Sequence, residues 1–145
     1  SIDLATFSPG PEMLLKRHGF GAVVLPESRG VLVVGGYNGR MSLASTELLD
    51  LDTQIFSPGP LLESSRGYLD AVLEVGQVVV VGGYTCNEDI SPTTEVLNPG
   101  SNTWSPGPNL VSGRCGYAAV SLSNARILII GGKNNMTFLS TTEII

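Results

Sequence analysis

The sequence predicts an all-β protein that is built from three copies of one unit. Three markers recur in the same order about every 48 residues: a glycine pair, a Thr-Glu pair and the tetrapeptide Ser-Pro-Gly-Pro. The glycine pairs begin at Gly35, Gly82 and Gly131, the Thr-Glu pairs at Thr46, Thr94 and Thr142, and the tetrapeptides at Ser8, Ser57 and Ser105. A period of roughly 20 to 50 residues is the signature of repeat architectures. We therefore divide the chain into repeats 1–49, 50–97 and 98–145.

The first two segments of each repeat are apolar and short. The first segment follows a single arginine, and the second is a largely β-branched run that ends at the glycine pair. The arginines are Arg17, Arg66 and Arg114, and the runs are 31–34, 78–81 and 127–130. An apolar run without polar alternation is typical of a strand that is covered on both faces. The second segment is therefore predicted to be a buried strand.

The third and fourth segments alternate more and predict outer strands that are half exposed. The third carries the Thr-Glu pair, and the fourth ends in an aromatic residue directly before Ser-Pro-Gly-Pro, at Phe7, Phe56 or Trp104. Proline and glycine then end the strand, because proline has no N–H for the ladder and glycine admits positive φ. No segment has helical periodicity.

These repeats resemble the Kelch motif over the whole chain. The shared features are an arginine-led first strand, a second strand that ends in Gly-Gly, a Thr-Glu strand, and an aromatic residue before a proline-rich turn. Two features depart from the family: its usual tyrosine two residues after the glutamate is Leu49, Leu97 or Ile145, and its usual tryptophan is present only at Trp104. The resemblance implies a β-propeller in which each repeat is one four-stranded blade.

Three blades are too few for a closed propeller, which has about four to eight. An isolated arc would expose two apolar sheet faces, so we expect a homodimeric six-bladed ring. The N-terminal strand, residues 4–8, is expected to complete the last blade of the partner, which closes both seams by strand exchange. The three repeats fill the chain without a gap, which is typical of an engineered fragment. The differences between the repeats are typical of natural divergence. Both origins stay open.

Composition argues against several classes of partner. The formal net charge is −5, the reverse of the basic footprint of a nucleic-acid binder. The longest apolar runs are far shorter than the roughly 20 residues that cross a bilayer, so we expect no membrane span. Cys86 and Cys115 are too few for a disulfide scaffold, and they are expected either as two thiols or as one disulfide between adjacent blades.

Catalytic and metal-binding residues are scarce. His18 is the only histidine, and no nucleophile or orienting carboxylate accompanies it in the sequence. A metal site would need roughly three or four convergent ligands. We therefore expect no catalysis, no metal and no cofactor. The alternative is a Kelch-like isomerase or lyase with its site at the central channel.

The resemblance also implies a position for a ligand. Kelch-type substrate adaptors hold their ligand on the face built by the loops that enter the first strand and leave the second. In this sequence that face comprises Arg17, His18, Tyr37, Arg66, Tyr84, Arg114 and Lys133, together with Gly67 and Cys115. A cationic and aromatic set suits an acidic peptide or protein, since the arginine fork matches carboxylates. In the structural alternative, each arginine ties its loop to a carbonyl or to the glutamate of the Thr-Glu pair.

Overall fold

The computed structural model describes residues 6–26, 30–85, 87, 89–98 and 100–145. The extended secondary-structure elements of these residues are all strands. In chain order the strands are β1 (Gly21–Val24), β2 (Val31–Val34), β3 (Thr46–Asp50), β4 (Ile55–Pro58), β5 (Arg66–Gly67), β6 (Ala71–Glu74), β7 (Gln77–Val81), β8 (Tyr84–Thr85), β9 (Thr94–Asn98), β10 (Thr103–Pro106), β11 (Ala118–Leu122), β12 (Arg126–Ile130) and β13 (Thr142–Ile144). Nowhere in the described ranges is there a long apolar helix that could span a membrane.

The strands form four antiparallel sheets. The first sheet has the order β1-β2-β3-β4, the second β6-β7-β9-β10 and the third β11-β12-β13, while β5 and β8 pair as a two-stranded sheet. The register of the three larger sheets repeats. In each of them the glutamate of the Thr-Glu strand lies opposite the residue two positions before the glycine pair. These pairs are Val33–Glu47, Val80–Glu95 and Ile129–Glu143.

The apolar core lies between successive sheets. One cluster joins the first and second sheets and includes Val34, Val80 and Trp104. A second cluster joins the second and third sheets and includes Val81 and Ile129. Strand β6 contacts both β1 and β11, so the first strands of the three sheets lie side by side. This arrangement brings the loops that enter these strands together at one end of the molecule.

The glycine pairs occupy tight corners between neighbouring sheets. All six glycines have positive φ, between 56° and 102°. The N–H of Gly36 donates to the carbonyl of Arg66, and that of Gly83 donates to the carbonyl of Arg114, both at 2.9 Å. A Cβ on the first glycine of either pair would lie 2.5 Å from the same carbonyl oxygen. Glycine is therefore required by both the backbone conformation and the close approach.

The all-β class is confirmed, and the strands lie where the sequence predicts them apart from three departures. The Thr-Glu strand was expected to be half exposed, but the glutamates Glu47 and Glu95 are buried, because each is drawn inward by an arginine. The sequence also did not predict β5 and β8, since strands of two residues are too short to carry a periodic pattern. The predicted N-terminal strand lies partly outside the described residues; residues 6–8 are described and are not part of a strand.

Candidate functional site

The three arginines that lead the repeats are buried in ion pairs with the glutamates of the Thr-Glu strands. The distances from Nη2 to Oε1 are 2.5 Å for Arg17–Glu47, 2.8 Å for Arg66–Glu95 and 2.6 Å for Arg114–Glu143. Each guanidinium also donates to the carbonyl of the first glycine in the glycine pair of its repeat, at 2.7 to 3.0 Å. Two further N–H groups of each guanidinium donate to the residue two positions before the glutamate, one to its backbone carbonyl and one to its side-chain hydroxyl. These residues are Ser45, Thr93 and Thr141.

The glutamates complete this network by holding the loop that precedes each arginine. The two carboxylate oxygens accept from two successive backbone N–H groups, at Leu14 and Leu15, Glu63 and Ser64, or Val111 and Ser112. Burial acts to raise the pKa of Glu143, but these two N–H groups and the Arg114 guanidinium together hold it below its ordinary value. Each pair therefore fixes the loop, the glycine corner and the third strand of one repeat.

This geometry corrects part of the expected ligand face. Arg17, Arg66 and Arg114 are 8%, 1% and 1% exposed, and their guanidinium forks are occupied inside the protein. They do not form the cationic surface that the sequence predicted. Instead, as in the alternative considered there, each arginine ties its loop to a carbonyl and to the glutamate of the Thr-Glu pair. The physical reason is that the glutamate in the third strand of each repeat, buried at Glu47 and Glu95 and partly buried at Glu143, provides the charged partner that a desolvated arginine requires.

The remaining predicted site residues do come together in the structure. His18 forms a β-bridge with Tyr37, Gly67 is paired with Tyr84 in the two-stranded sheet, and Cys115 forms a bridge with Lys133. The loop entering the first strand and the loop leaving the second are thus adjacent in all three repeats. His18 and Lys133 are exposed, and Tyr37 and Tyr84 are partly buried.

These loops enclose one open groove of about 850 Å³. Its lining spans all three repeats: Tyr37, Tyr68, Tyr84, Cys115, Gly116, Gly132, Lys133, Phe138 and Leu139. Its walls are mostly aromatic and apolar, and the exposed ammonium group of Lys133 is at one side. Burial raises the pKa of the Cys115 thiol, with the positive charge of Lys133 acting in the opposite direction.

The sequence prediction missed several groove residues, among them Phe138 and Tyr68, and Tyr68 lies at the centre of the aromatic contacts. Its ring centroid lies 5.4 Å from that of His18, 6.2 Å from that of Tyr37 and 6.5 Å from that of Tyr84. Tyr68 therefore joins the aromatic side chains of neighbouring repeats. A signal was present in the sequence: two positions after the leading arginine, the first and third repeats have Gly19 and Gly116, whereas the second has this tyrosine.

No metal centre is found in the part of the chain that the structure describes, since its His, Cys, Asp and Glu side chains form no group of three or more able to hold an ion. Cys115 is a buried, free thiol. Cys86, the other cysteine in the predicted choice between two thiols and a disulfide, lies outside the described residues.

Comparison with known proteins identifies one motif. Residues 76–111 match the Kelch motif, and the match runs from the turn before β7 to just beyond the proline-rich turn after β10. No curated protein matches the chain. The predicted resemblance to the Kelch motif is thereby confirmed for residues 76–111. The chain carries a Kelch repeat, and its several antiparallel sheets are consistent with a fragment of a Kelch-repeat propeller.

Proposed function

We propose that this chain is a non-catalytic interaction module that binds a protein or peptide in the groove between its loops and closes into a six-bladed ring with a second copy of itself. The Kelch motif suggests a β-propeller module for protein interaction. The groove supports this function because it is assembled from loops of all three repeats and exposes aromatic side chains, with Tyr68 at 39% and Phe138 at 85%. Aromatic residues are enriched at the centres of protein interfaces.

The observation that carries the assembly proposal is the unequal exposure of equivalent apolar residues. Val34 and Val81 each precede a glycine pair and are 0% exposed, whereas Ile130 at the same position of the third repeat is 41% exposed. One strand earlier, Val23 and Val72 are 8% and 7% exposed, whereas their equivalent Val120 is 42% exposed. The third sheet thus presents to solvent a face that its two counterparts bury against the next sheet.

A second copy offers the complementary surface. The second sheet covers one face of the first sheet with a face of its own that carries Ala71, Val78 and Val80. The first sheet has a face that corresponds to this covering face, and it points away from the second sheet. This face carries Val24, which is 62% exposed, whereas the equivalent Leu73 of the second sheet packs against the core cluster. Two copies related by a two-fold axis would bury the third sheet of each against the first sheet of the other, an isologous arrangement.

Strand exchange would extend the same contact. In the first two sheets the Thr-Glu strand pairs with a fourth strand that contains Phe56 or Trp104. In the described residues the third sheet ends at β13. The segment Phe7-Ser8-Pro9 is a third copy of the fourth-strand sequence, and Phe7 is fully exposed. We therefore assign this segment to the edge of β13 in the second copy, where it would cover an unpaired strand edge.

Light scattering coupled to size-exclusion chromatography tests the assembly. We expect a mass of twice 15.2 kDa for the unmodified chain. Ile130→Lys should shift the mass toward one copy, because it places a charge at the centre of the proposed contact. Val75→Lys is the matched control, since Val75 is 76% exposed at the tip of the β6–β7 hairpin. A stable species of 15.2 kDa from the unmodified chain would contradict the proposal.

A further inference from the structure

Tyr68 occupies a backbone position that the other two repeats give to glycine. Its φ is +52°, close to the +58° of Gly19 and the +62° of Gly116, which stand two residues after the other leading arginines. The N–H of Tyr68 donates to the carbonyl of Gly19, and the N–H of Gly116 donates to the carbonyl of Tyr68, at 2.6 and 2.7 Å. The left-handed conformation is therefore fixed by hydrogen bonds that run between the repeats.

Nothing in this backbone requires a tyrosine. Glycine adopts the left-handed region without steric cost, whereas a bulky residue is an outlier there. The other described non-glycine residues with positive φ are Gln54, Val75, Asn102 and Ala125, and all four lie in hairpin connections. Tyr68 alone lies outside a hairpin, and its side chain lines the groove. Strained residues of this kind concentrate at functional sites.

The groove also defines the chemistry of an occupant. Three tyrosine rings give flat apolar faces with hydroxyl groups at their edges, and extended proline-rich segments dock on such surfaces. Because the three leading arginines are buried in ion pairs, the exposed cation among the lining residues is Lys133. One carboxylate in the ligand would complement that charge.

We infer that Tyr68 is the anchor of the groove, which takes an extended peptide whose proline or other apolar side chains stack on Tyr37, Tyr68 and Tyr84 and whose carboxylate pairs with Lys133. This inference rests on the proposed function as an interaction module, and it assigns the ligand class and the residue that selects it. Single-stranded nucleic acid also stacks on aromatic side chains, but it needs a cationic groove, and the net charge of this chain is −5.

Selection of a random dodecapeptide library on phage, followed by anisotropy titration of the selected peptides, tests the inference. Tyr68→Gly restores the residue that the other two repeats have at this position, so it keeps the backbone and removes only the ring. Val75→Gly is the matched control, because it removes a non-glycine residue at φ +48° far from the groove. Lys133→Gln tests the carboxylate contact. Trp104 fluorescence and circular dichroism verify that each variant is folded.

We expect selected peptides that combine proline or apolar residues with an acidic residue. Their Kd should rise about tenfold or more in Tyr68→Gly, the loss typical of a truncated aromatic anchor, and several-fold in Lys133→Gln, with no change in Val75→Gly. Peptides that bind Tyr68→Gly and the unmodified chain equally would overturn the role of Tyr68 and leave the interaction module intact. Selected peptides that are basic, or tighter binding of a labelled oligothymidylate, would overturn the ligand class. Failure to enrich any peptide would overturn the proposed function as well.

Discussion

Replacement of Arg66 by methionine removes the charge of one buried ion pair while it keeps an unbranched side chain. The unmodified guanidinium donates to the carbonyls of Gly82 and Thr93, to the Thr93 hydroxyl and to Glu95, at 2.7 to 3.1 Å. In the unmodified chain Glu95 is 3% exposed, so the substitution leaves its carboxylate without a charged partner and with two backbone N–H donors. The buried carbonyl of Gly82 also loses the arginine donor.

Removal of one partner from a buried ion pair destabilises a protein by about 3 to 5 kcal/mol. The free energy of unfolding of a typical domain is only about 5 to 15 kcal/mol, so this loss is a large share of the total. With a urea m-value of roughly 2 kcal/mol/M, the midpoint of unfolding should fall by about 1.5 to 2.5 M.

Urea unfolding followed by tryptophan fluorescence measures this effect at a fixed protein concentration. Trp104 is the single tryptophan, is 7% exposed and packs in the cluster between the first and second sheets. Arg40→Met is the matched control, because Arg40 is exposed and should change the free energy of unfolding by no more than about 0.5 kcal/mol.

A midpoint for Arg66→Met within about 0.3 M of the unmodified chain would refute the reasoning, since at that m-value the pair would contribute under about 1 kcal/mol. The double variant Arg66→Met with Glu95→Leu should be more stable than Arg66→Met alone, because it removes the uncompensated carboxylate. If the double variant is the less stable of the two, the loss in the single variant does not come from a buried charge.

Three further predictions follow from the same network and its neighbours. Because the pKa of Glu143 is lowered in the folded state, the unfolded chain takes up the proton first, and the free energy of unfolding should fall as the pH drops below 4.5. Glu143→Gln should flatten this dependence on pH, and an unchanged slope would show that Glu143 does not cause it. Gly82→Ala should lower the free energy of unfolding in urea by about 2 kcal/mol or more, since φ is +56° and the added Cβ meets the Arg114 carbonyl oxygen. Gly10→Ala, which has no neighbour within 4 Å, should lower it little, and equal unfolding midpoints for the two variants would contradict this expectation. Trp104→Phe should cost about 1 kcal/mol by loss of the Nε1 hydrogen bond to the Pro60 carbonyl, measured by circular dichroism, and a neutral effect would show that the bond does not contribute.

Much of the fold was visible in the sequence because the longer strands each have a local signal. The β-branched runs before the glycine pairs become β2, β7 and β12, as predicted. The markers also have a shared physical cause: Thr46 and Thr94 donate their hydroxyls to the carbonyls of Pro60 and Pro108, which links the Thr-Glu strand of one repeat to the proline-rich turn of the next. The recurring residues therefore correspond to recurring contacts.

The candidate site was harder to predict because sequence position does not give side-chain direction. Arg66 and Tyr84 both belong to loops at the same end of the molecule, but the arginine points inward to Glu95 and the tyrosine lines the groove. The glutamate that decides this lies 29 residues away along the chain. Tyr68 was missed for another reason: it differs from the residue that recurs at this position, so the repeat pattern does not mark it.

A crystal structure of the unmodified chain tests the central claim of the assembly most directly. We expect two copies in a ring of six blades, with residues 6–8 of one copy paired to β13 of the other and Ile130 buried at the seam. A structure in which the exposed face of the third sheet remains in solvent, or in which the blades do not total six, would contradict it.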